Sequence, residues 1–322
     1  MSSAIVTHDL VKHFYRVVAL NGLDLVVPEG AIYALVGPNG AGKTTAIKVL
    51  MNIFSPTRGR AELLGTDSRQ IAGGAFTSIG YVSENQELPD WMRIDQFLAY
   101  LRPFYPTWDR NLEDGLLRQY ELPLDRKLGK LSRGMRKKAA LVSALAFHPK
   151  LIVLDEPFGG LDPLVRDELI EGLLERAQET TIFISSHDLA EIENLASHIG
   201  YLEAGKLRFS EGMAAMGERF REVELTFDVR PVLQGNPPDS WIQMDASAAV
   251  VRFIESRFDE SRTRAEIRRL FPTARDVTFT PMSLRSVFLA MAKKERGRGA
   301  NSLTPAVERR PKESAPKAGG TP

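Results

Sequence analysis

The sequence predicts an α/β fold, a sheet buried on both faces with helices around it, followed by a smaller α+β domain and a disordered tail. Three observations carry this. The apolar run Ala31-Ile32-Tyr33-Ala34-Leu35-Val36 passes through a Gly-rich turn into the helix-like Thr45-Ala46-Ile47-Lys48-Val49-Leu50-Met51. Residues 151–154 and 181–185 are short runs rich in β-branched residues, the texture of strands covered on both sides. Between residues 131 and 212 strand-like and helix-like segments alternate, and near Met213 the composition changes.

Residues 4–30 alternate short apolar stretches with turns such as Asn21-Gly22 and Pro28-Glu29-Gly30, and read as antiparallel strands ahead of the Gly-rich turn. From Pro89 to about Arg126 the period becomes helical. Ile94, Phe97, Leu98 and Leu101 fall at i, i+3, i+4 and i+7, and Leu112, Leu116 and Leu117 form a second stripe, so a helical insertion is expected. Beyond Met213, residues 222–229 alternate strictly as a half-wet strand does, residues 234–238 form a loop, and residues 248–254 are a second strand. Thr263-Arg264-Ala265-Glu266 predicts a capping box opening a helix with Ile267, Leu270 and Phe271. Leu284, Val287, Phe288 and Met291 make a last helical stripe. The expected domains are therefore 4–212 and 213–292, with a disordered tail over 293–322 where Arg, Lys, Pro, Gly and Ser dominate.

The chain has 322 residues, with 42 Lys plus Arg against 41 Asp plus Glu. A net charge of +1 weighs against a general nucleic-acid binder, which usually carries a strong basic excess. Cysteine is absent, which excludes disulfides and thiolate metal sites. The opening Met1-Ser2-Ser3-Ala4-Ile5 has no basic segment leading into an apolar core, so no signal peptide is expected. No window approaches the roughly eighteen apolar residues of a spanning helix, so any membrane role must come through a partner.

The Gly-rich turn reads Gly37-Pro38-Asn39-Gly40-Ala41-Gly42-Lys43-Thr44, a Gly-x-x-x-x-Gly-Lys-Thr pattern between strand and helix. Glycines let successive N–H groups point at one anion, and the helix N-terminus adds its partial positive charge. In this pattern Lys43 reaches the β- and γ-phosphates of a nucleoside triphosphate and the Thr44 hydroxyl ligates Mg²⁺. Leu151-Ile152-Val153-Leu154-Asp155-Glu156-Pro157 is a strand ending in two carboxylates. In P-loop NTPases the acid at such a tip holds Mg²⁺, which assigns Asp155. Glu156 is then placed to polarise the attacking water, a role worth about 10²–10⁴ in rate. Leu131-Ser132-Arg133-Gly134-Met135 opens a helical run. Alone it is an ordinary N-cap, but as a second anion site it needs a second phosphate or a second subunit. Residues 181–188 end another strand at His187, suited to hydrogen-bonding a γ-phosphate, whereas His8, His13, His148 and His198 carry no such context.

This ordered set, together with Gly160-Leu161-Asp162-Pro163, resembles the ATP-binding cassette of ABC transporters over about residues 4–212. The serine-glycine signature ahead of the second carboxylate strand distinguishes that family from other P-loop NTPases. The resemblance implies a RecA-like core, an antiparallel β subdomain, and a helical subdomain over about 89–145. It implies ATP and Mg²⁺ as cofactors. ATP is then held by Gly37, Pro38, Asn39, Gly40, Ala41, Gly42, Lys43, Thr44 and Thr45. Phe14 lies against adenine, or Tyr15 if the register is off by one, a contact worth about 1–3 kcal/mol. Ser132 and Gly134 contact phosphate, Thr44, Glu84 and Asp155 hold the metal, and Glu156 and His187 are catalytic. Two departures stand out. Glu84 occupies the position where the family usually has Gln, and Arg133 and Met135 replace the usual Gly and Gln of the signature. Ser132 and Gly134 are kept, which implies an active site.

The stretch Ser283-Leu284-Arg285-Ser286-Val287-Phe288-Leu289 looks like the end of the ATPase subunit of bacterial multidrug, antibiotic or lantibiotic exporters. A second cassette subunit, identical or not, and an integral-membrane permease are the implied partners, with no specific nucleic acid. The implied location is cytoplasmic, at the inner face of the plasma membrane. The alternative is a non-transport cassette ATPase regulating translation or acting on DNA. The chain has neither a second cassette, nor sustained heptads, nor the cysteines such members carry.

Overall fold

The computed structural model describes residues 2–177 and 179–298, and the chain divides into two compact units between Met213 and Ala214. In the first unit, β1 (Ser3–Phe14) and β2 (Val17–Pro28) form a long antiparallel hairpin. β3 (Ile32–Val36) leads through the Gly-rich turn into α1 (Lys43–Leu50), followed by β4 (Arg58–Leu63) and β5 (Thr66–Asp67). The antiparallel sheet runs β2-β1-β4-β5; β1 and β2 are the strands expected of residues 4–30, and β4 and β5 join them from beyond α1. Next come β6 (Ile79–Val82), α2 (Ile94–Leu101), α3 (Arg110–Gln119) and α4 (Arg133–Leu145). The unit closes with β7 (Leu151–Asp155), α5 (Pro163–Leu174), β8 (Thr181–Ser186), β9 (His198–Glu203) and β10 (Lys206–Gly212).

The central sheet has the order β10-β9-β3-β8-β7-β6, parallel from β9 to β6 with β10 antiparallel at its edge. Every residue of β3, β7 and β8 is buried. The cause is alternation between two cores. Ile152, Leu154, Ile182 and Ile184 pack with the helical insertion, while Leu151, Val153 and Phe183 pack with α1 and the antiparallel sheet. In α2 the predicted stripe is inward, with Ile94, Phe97 and Leu98 buried and Leu101 at the cluster's edge. Asp109 caps α3, accepting from the N–H groups of Asn111 and Leu112 at 2.8 and 3.2 Å.

The second unit contains α6 (Met213–Arg219), β11 (Arg221–Phe227), β12 (Trp241–Ala246), β13 (Val250–Glu255), α7 (Glu260–Leu270), β14 (Ala274–Pro281) and α8 (Leu284–Arg298). Its antiparallel sheet runs β12-β13-β11-β14 over a core in which Trp241 stacks on Phe253 at 3.9 Å. Both edge strands, β12 and β14, go beyond the two strands expected. Each pairs on one side only, and a register shift in β12, with Gln243 at φ 53°, breaks its alternation. α7 begins before the expected capping box. Asp259 caps it by accepting from Arg262 N at 2.8 Å, and Thr263 is buried inside the helix. α8 continues to Arg298, past the expected start of the tail at Lys293, and residues 299–322 of that tail lie outside the described residues. Among the described residues no helix is long and apolar enough to cross a membrane.

Candidate active site

Strand tips build the site. The loop after β3 is tied to β8 by a bond from Gly37 N to Ser186 O (3.3 Å). Gly42 caps α1 at φ 108°, and a Cβ there would fall 2.4 Å from the Ala19 carbonyl oxygen, so only glycine fits on both counts. The next residue, Lys43, is buried. Its Nζ donates to the carbonyls of Gly37 (2.8 Å) and Pro38 (3.4 Å) and pairs with Glu156 Oε1 at 3.1 Å.

Parallel pairing of β7 with β8 sets Asp155 opposite Ser185. The Ser185 hydroxyl donates to Asp155 Oδ1 at 2.6 Å and accepts from Glu156 N at 2.9 Å, which locks the two carboxylates side by side. Thr44 Oγ1 donates to the same Asp155 oxygen at 3.2 Å. Burial raises the Asp155 carboxyl above its ordinary range, and the negative Glu156 and Glu84 add to this. Bonds from Ser185 and Thr44 oppose it. A buried, anionic, oxygen-only corner of this kind suits a hard divalent cation. Among the described residues no three His, Cys, Asp or Glu cluster as a metal cage. The paired Thr44 and Asp155 oxygens fit Mg²⁺, which typically takes one or two carboxylates and completes its shell with water and phosphate.

Glu156 is held at both carboxylate oxygens. Its Oε2 accepts from His187 Nδ1 at 2.7 Å while its Oε1 faces Lys43. Its backbone is left-handed, φ 48°, a conformation costing a non-glycine residue about 1–2 kcal/mol. Lys137 Nζ holds that backbone through the carbonyls of Glu156 (2.9 Å), Pro157 (2.7 Å) and Gly159 (3.2 Å). Burial first, and then the Arg133 charge, brings the Lys137 ammonium down to about 8.

These groups border a cavity of about 430 Å³, lined by residues 39–45, Glu84, Glu156 and His187, with Val17, Val18 and Ala19 as its other wall. Phe14 does not line it. Its ring meets Phe54 edge-on at 5.3 Å with the Lys12 ammonium 4.9 Å above it, and Tyr15 is fully exposed. Ser132 and Gly134 do not border the cavity of their own chain either. Ser132 caps α4, accepting from Met135 N at 3.2 Å. Sequence reasoning missed Ser185, Lys137 and the Val17-Val18 wall. A serine near the end of an apolar strand was the one available signal for Ser185, whereas Lys137 reads as an ordinary helix lysine.

Residues 20–159 match the family model described as ABC transporter. The chain is 32% identical over 233 residues to the bacitracin transport ATP-binding protein BcrA of Enterococcus faecalis, covering 71% of this chain and 75% of that protein. It is 34% identical over 234 residues to the Nod factor export ATP-binding protein I of Burkholderia pseudomallei (strain 1710b), covering 70% and 75%. A solved structure of the ATP binding subunit of an ABC transporter superposes with a TM-score of 0.62 at 26% identity, over 67% of this chain and 92% of that one. A parallel core carrying these motifs at its strand tips, and relatives alike over most of their length, lead to one conclusion: the chain belongs to the ABC transporter family, as an ATP-binding subunit.

Proposed function

We propose that the chain hydrolyses ATP with Glu156 as general base, and that this drives export through a separate permease. The observation that carries the reading is the Glu156 carboxylate, buried between Lys43 and His187 and beside the Asp155–Thr44 pair. The backbone N–H groups of the Gly-rich turn and the Lys43 ammonium receive the β- and γ-phosphates. Drawing Lys43 toward phosphate frees Glu156 Oε1. The carboxylate then takes the proton of a water whose oxygen bonds to the γ-phosphorus as the bond to the ADP oxygen breaks. His187 orients Glu156 through Nδ1 and leaves Nε2 for the γ-phosphate. Thr44, Asp155 and Glu84 would hold Mg²⁺, which when bound neutralises charge on the phosphoryl oxygens.

Ser132 and Gly134 lie off their own cavity, which supports their serving the nucleotide of a second cassette subunit. Exposed Trp91, Tyr100 and Phe104 on the helical insertion offer apolar area for a permease at the inner face of the plasma membrane. The printed names of both relatives concern transport or export, which supports a transport role over a translation or DNA factor. To test the two-chain site, Ser132→Ala chains are mixed with Lys43→Ala chains. If each cavity is completed by the other chain, the mixture regains hydrolysis through one intact composite site. A mixture no more active than its parents refutes the arrangement.

A further inference from the structure

Arg133 and Lys137 are one helical turn apart on α4, at i and i+4, and both lie against the turn that follows Glu156. The ammonium of Lys137 has three N–H donors, and the carbonyls of Glu156, Pro157 and Gly159 take them at 2.9, 2.7 and 3.2 Å. Within the turn itself, Gly159 N reaches the same Glu156 carbonyl at 3.4 Å and Leu161 N reaches the Phe158 carbonyl at 3.2 Å. Arg133 closes over the far end of the turn, where a Cβ on Gly160 would fall 2.3 Å from its Nη1. Glu156 and Gly160 both have positive φ, 48° and 70°. A left-handed glutamate persists where its surroundings over-determine it; here Ser185 on β8 holds its N–H, and one face of α4 holds the carbonyls of the turn that follows.

The same helix begins at Ser132, its N-cap. The element that presents the signature serine outward therefore also grips, from inside, the peptide that aims the glutamate. We propose that Lys137 is a positioning residue that transmits the seating of the Ser132 loop on a partner's nucleotide to the orientation of Glu156 in the same chain. A small displacement of α4 moves the ammonium and, through three charge-assisted bonds, the peptide plane on which the Glu156 side chain stands. The proposal rests on Glu156 being the base.

The test measures kcat, KM for ATP with Mg²⁺ and fluorescent-nucleotide affinity on the full chain. The variants are Glu156→Gln, Lys137→Met, Lys137→Gln and Lys137→Arg. Hydrolysis surviving in Glu156→Gln overturns the base assignment, independently of Lys137. With that assignment standing, Lys137→Met and Lys137→Gln should each lower kcat about tenfold or more, leave KM and affinity within about twofold, and Lys137→Arg should recover most of the loss. The proposal is overturned if either neutral variant that folds keeps kcat within about twofold of wild type, or if KM rises in step with the fall in kcat. Failure of Lys137→Arg to recover any activity overturns it as well.

Discussion

Replacing Glu156 by Gln keeps the side chain's shape and removes its charge, and the structure gives two separable consequences. The first concerns chemistry. An amide cannot take the proton of the attacking water, and a positioned base is worth about 10²–10⁴ in rate, or roughly 2.7–5.4 kcal/mol of barrier. The second concerns binding. In this structure Lys43 Nζ sits 3.1 Å from Glu156 Oε1, so incoming phosphates must draw the ammonium away from a buried carboxylate. A hydrogen bond between charged groups contributes about 1.5–3 kcal/mol. Lys43 keeps its carbonyl partners Gly37 and Pro38 in either case. Gln leaves the ammonium a neutral acceptor worth about 0.5–1.5 kcal/mol, a difference of about 1–1.5 kcal/mol. Nucleotide binding should therefore tighten by up to about tenfold. Single-turnover phosphate release with labelled ATP measures the first effect, and fluorescent-nucleotide titration the second. Release within about tenfold of wild type refutes Glu156 as base. Unchanged or weaker affinity refutes the competition for Lys43.

Three further outcomes are expected. Ser185→Ala strips Asp155 Oδ1 of its closest donor and leaves the Glu156 N–H without its acceptor, so unfolding free energy should fall by about 1–3 kcal/mol in urea melts. In Gly172→Ala the new Cβ would lie 2.0 Å from Tyr120 Oη, an overpacking of about 1–3 kcal/mol. Tyr120 Oη is buried without a hydrogen-bond partner, so adding Tyr120→Phe should restore most of the lost stability, and an additive double mutant would refute that contact. Finally, His148 first, and then the N–H groups of Leu112 and Asn111, hold the Asp109 carboxyl below its ordinary value. Near that value the unfolded chain binds more protons than the native one. The contribution of Asp109 is therefore complete above the ordinary carboxyl range and is lost as pH falls through it. The difference in Tm between wild type and Asp109→Asn should shrink between about pH 6 and pH 3, and a constant difference contradicts the assignment.

How much of this could be read in advance varied from residue to residue. The strands at Leu151–Asp155 and Thr181–Ser186 were legible because burial on both faces forces unbroken apolar runs. The Gly-rich turn was legible because its backbone geometry admits so few residues, as the close approach at Gly42 illustrates. In the second unit β12 and β14 escaped notice. An edge strand buries few residues and owes its existence to a neighbour distant in sequence, such as the pairing of Leu225 with Val277. The start of α7 was misplaced for a related reason. Thr263 fits a capping pattern, but Asp259 takes the cap and the threonine is buried instead.

What the sequence determined by itself was local. A glycine spacing, two acids at a strand end and a serine at a helix start follow from backbone sterics, hydrophobic period and capping, each acting within a few residues. Tertiary structure decided what those pieces face. Parallel register brought Ser185 under Asp155 and Glu156, although thirty positions separate Ser185 from Asp155 along the chain. Packing of α4 against the turn after β7 aimed Lys137 at three carbonyls, a contact that neither segment encodes alone. Where β1 ends, Phe14 meets Phe54, and Val17 and Val18 are left to wall the cavity. Hydrogen bonds and ion pairs act over about 3 Å, and only the folded chain brings residues so far apart in sequence within that reach.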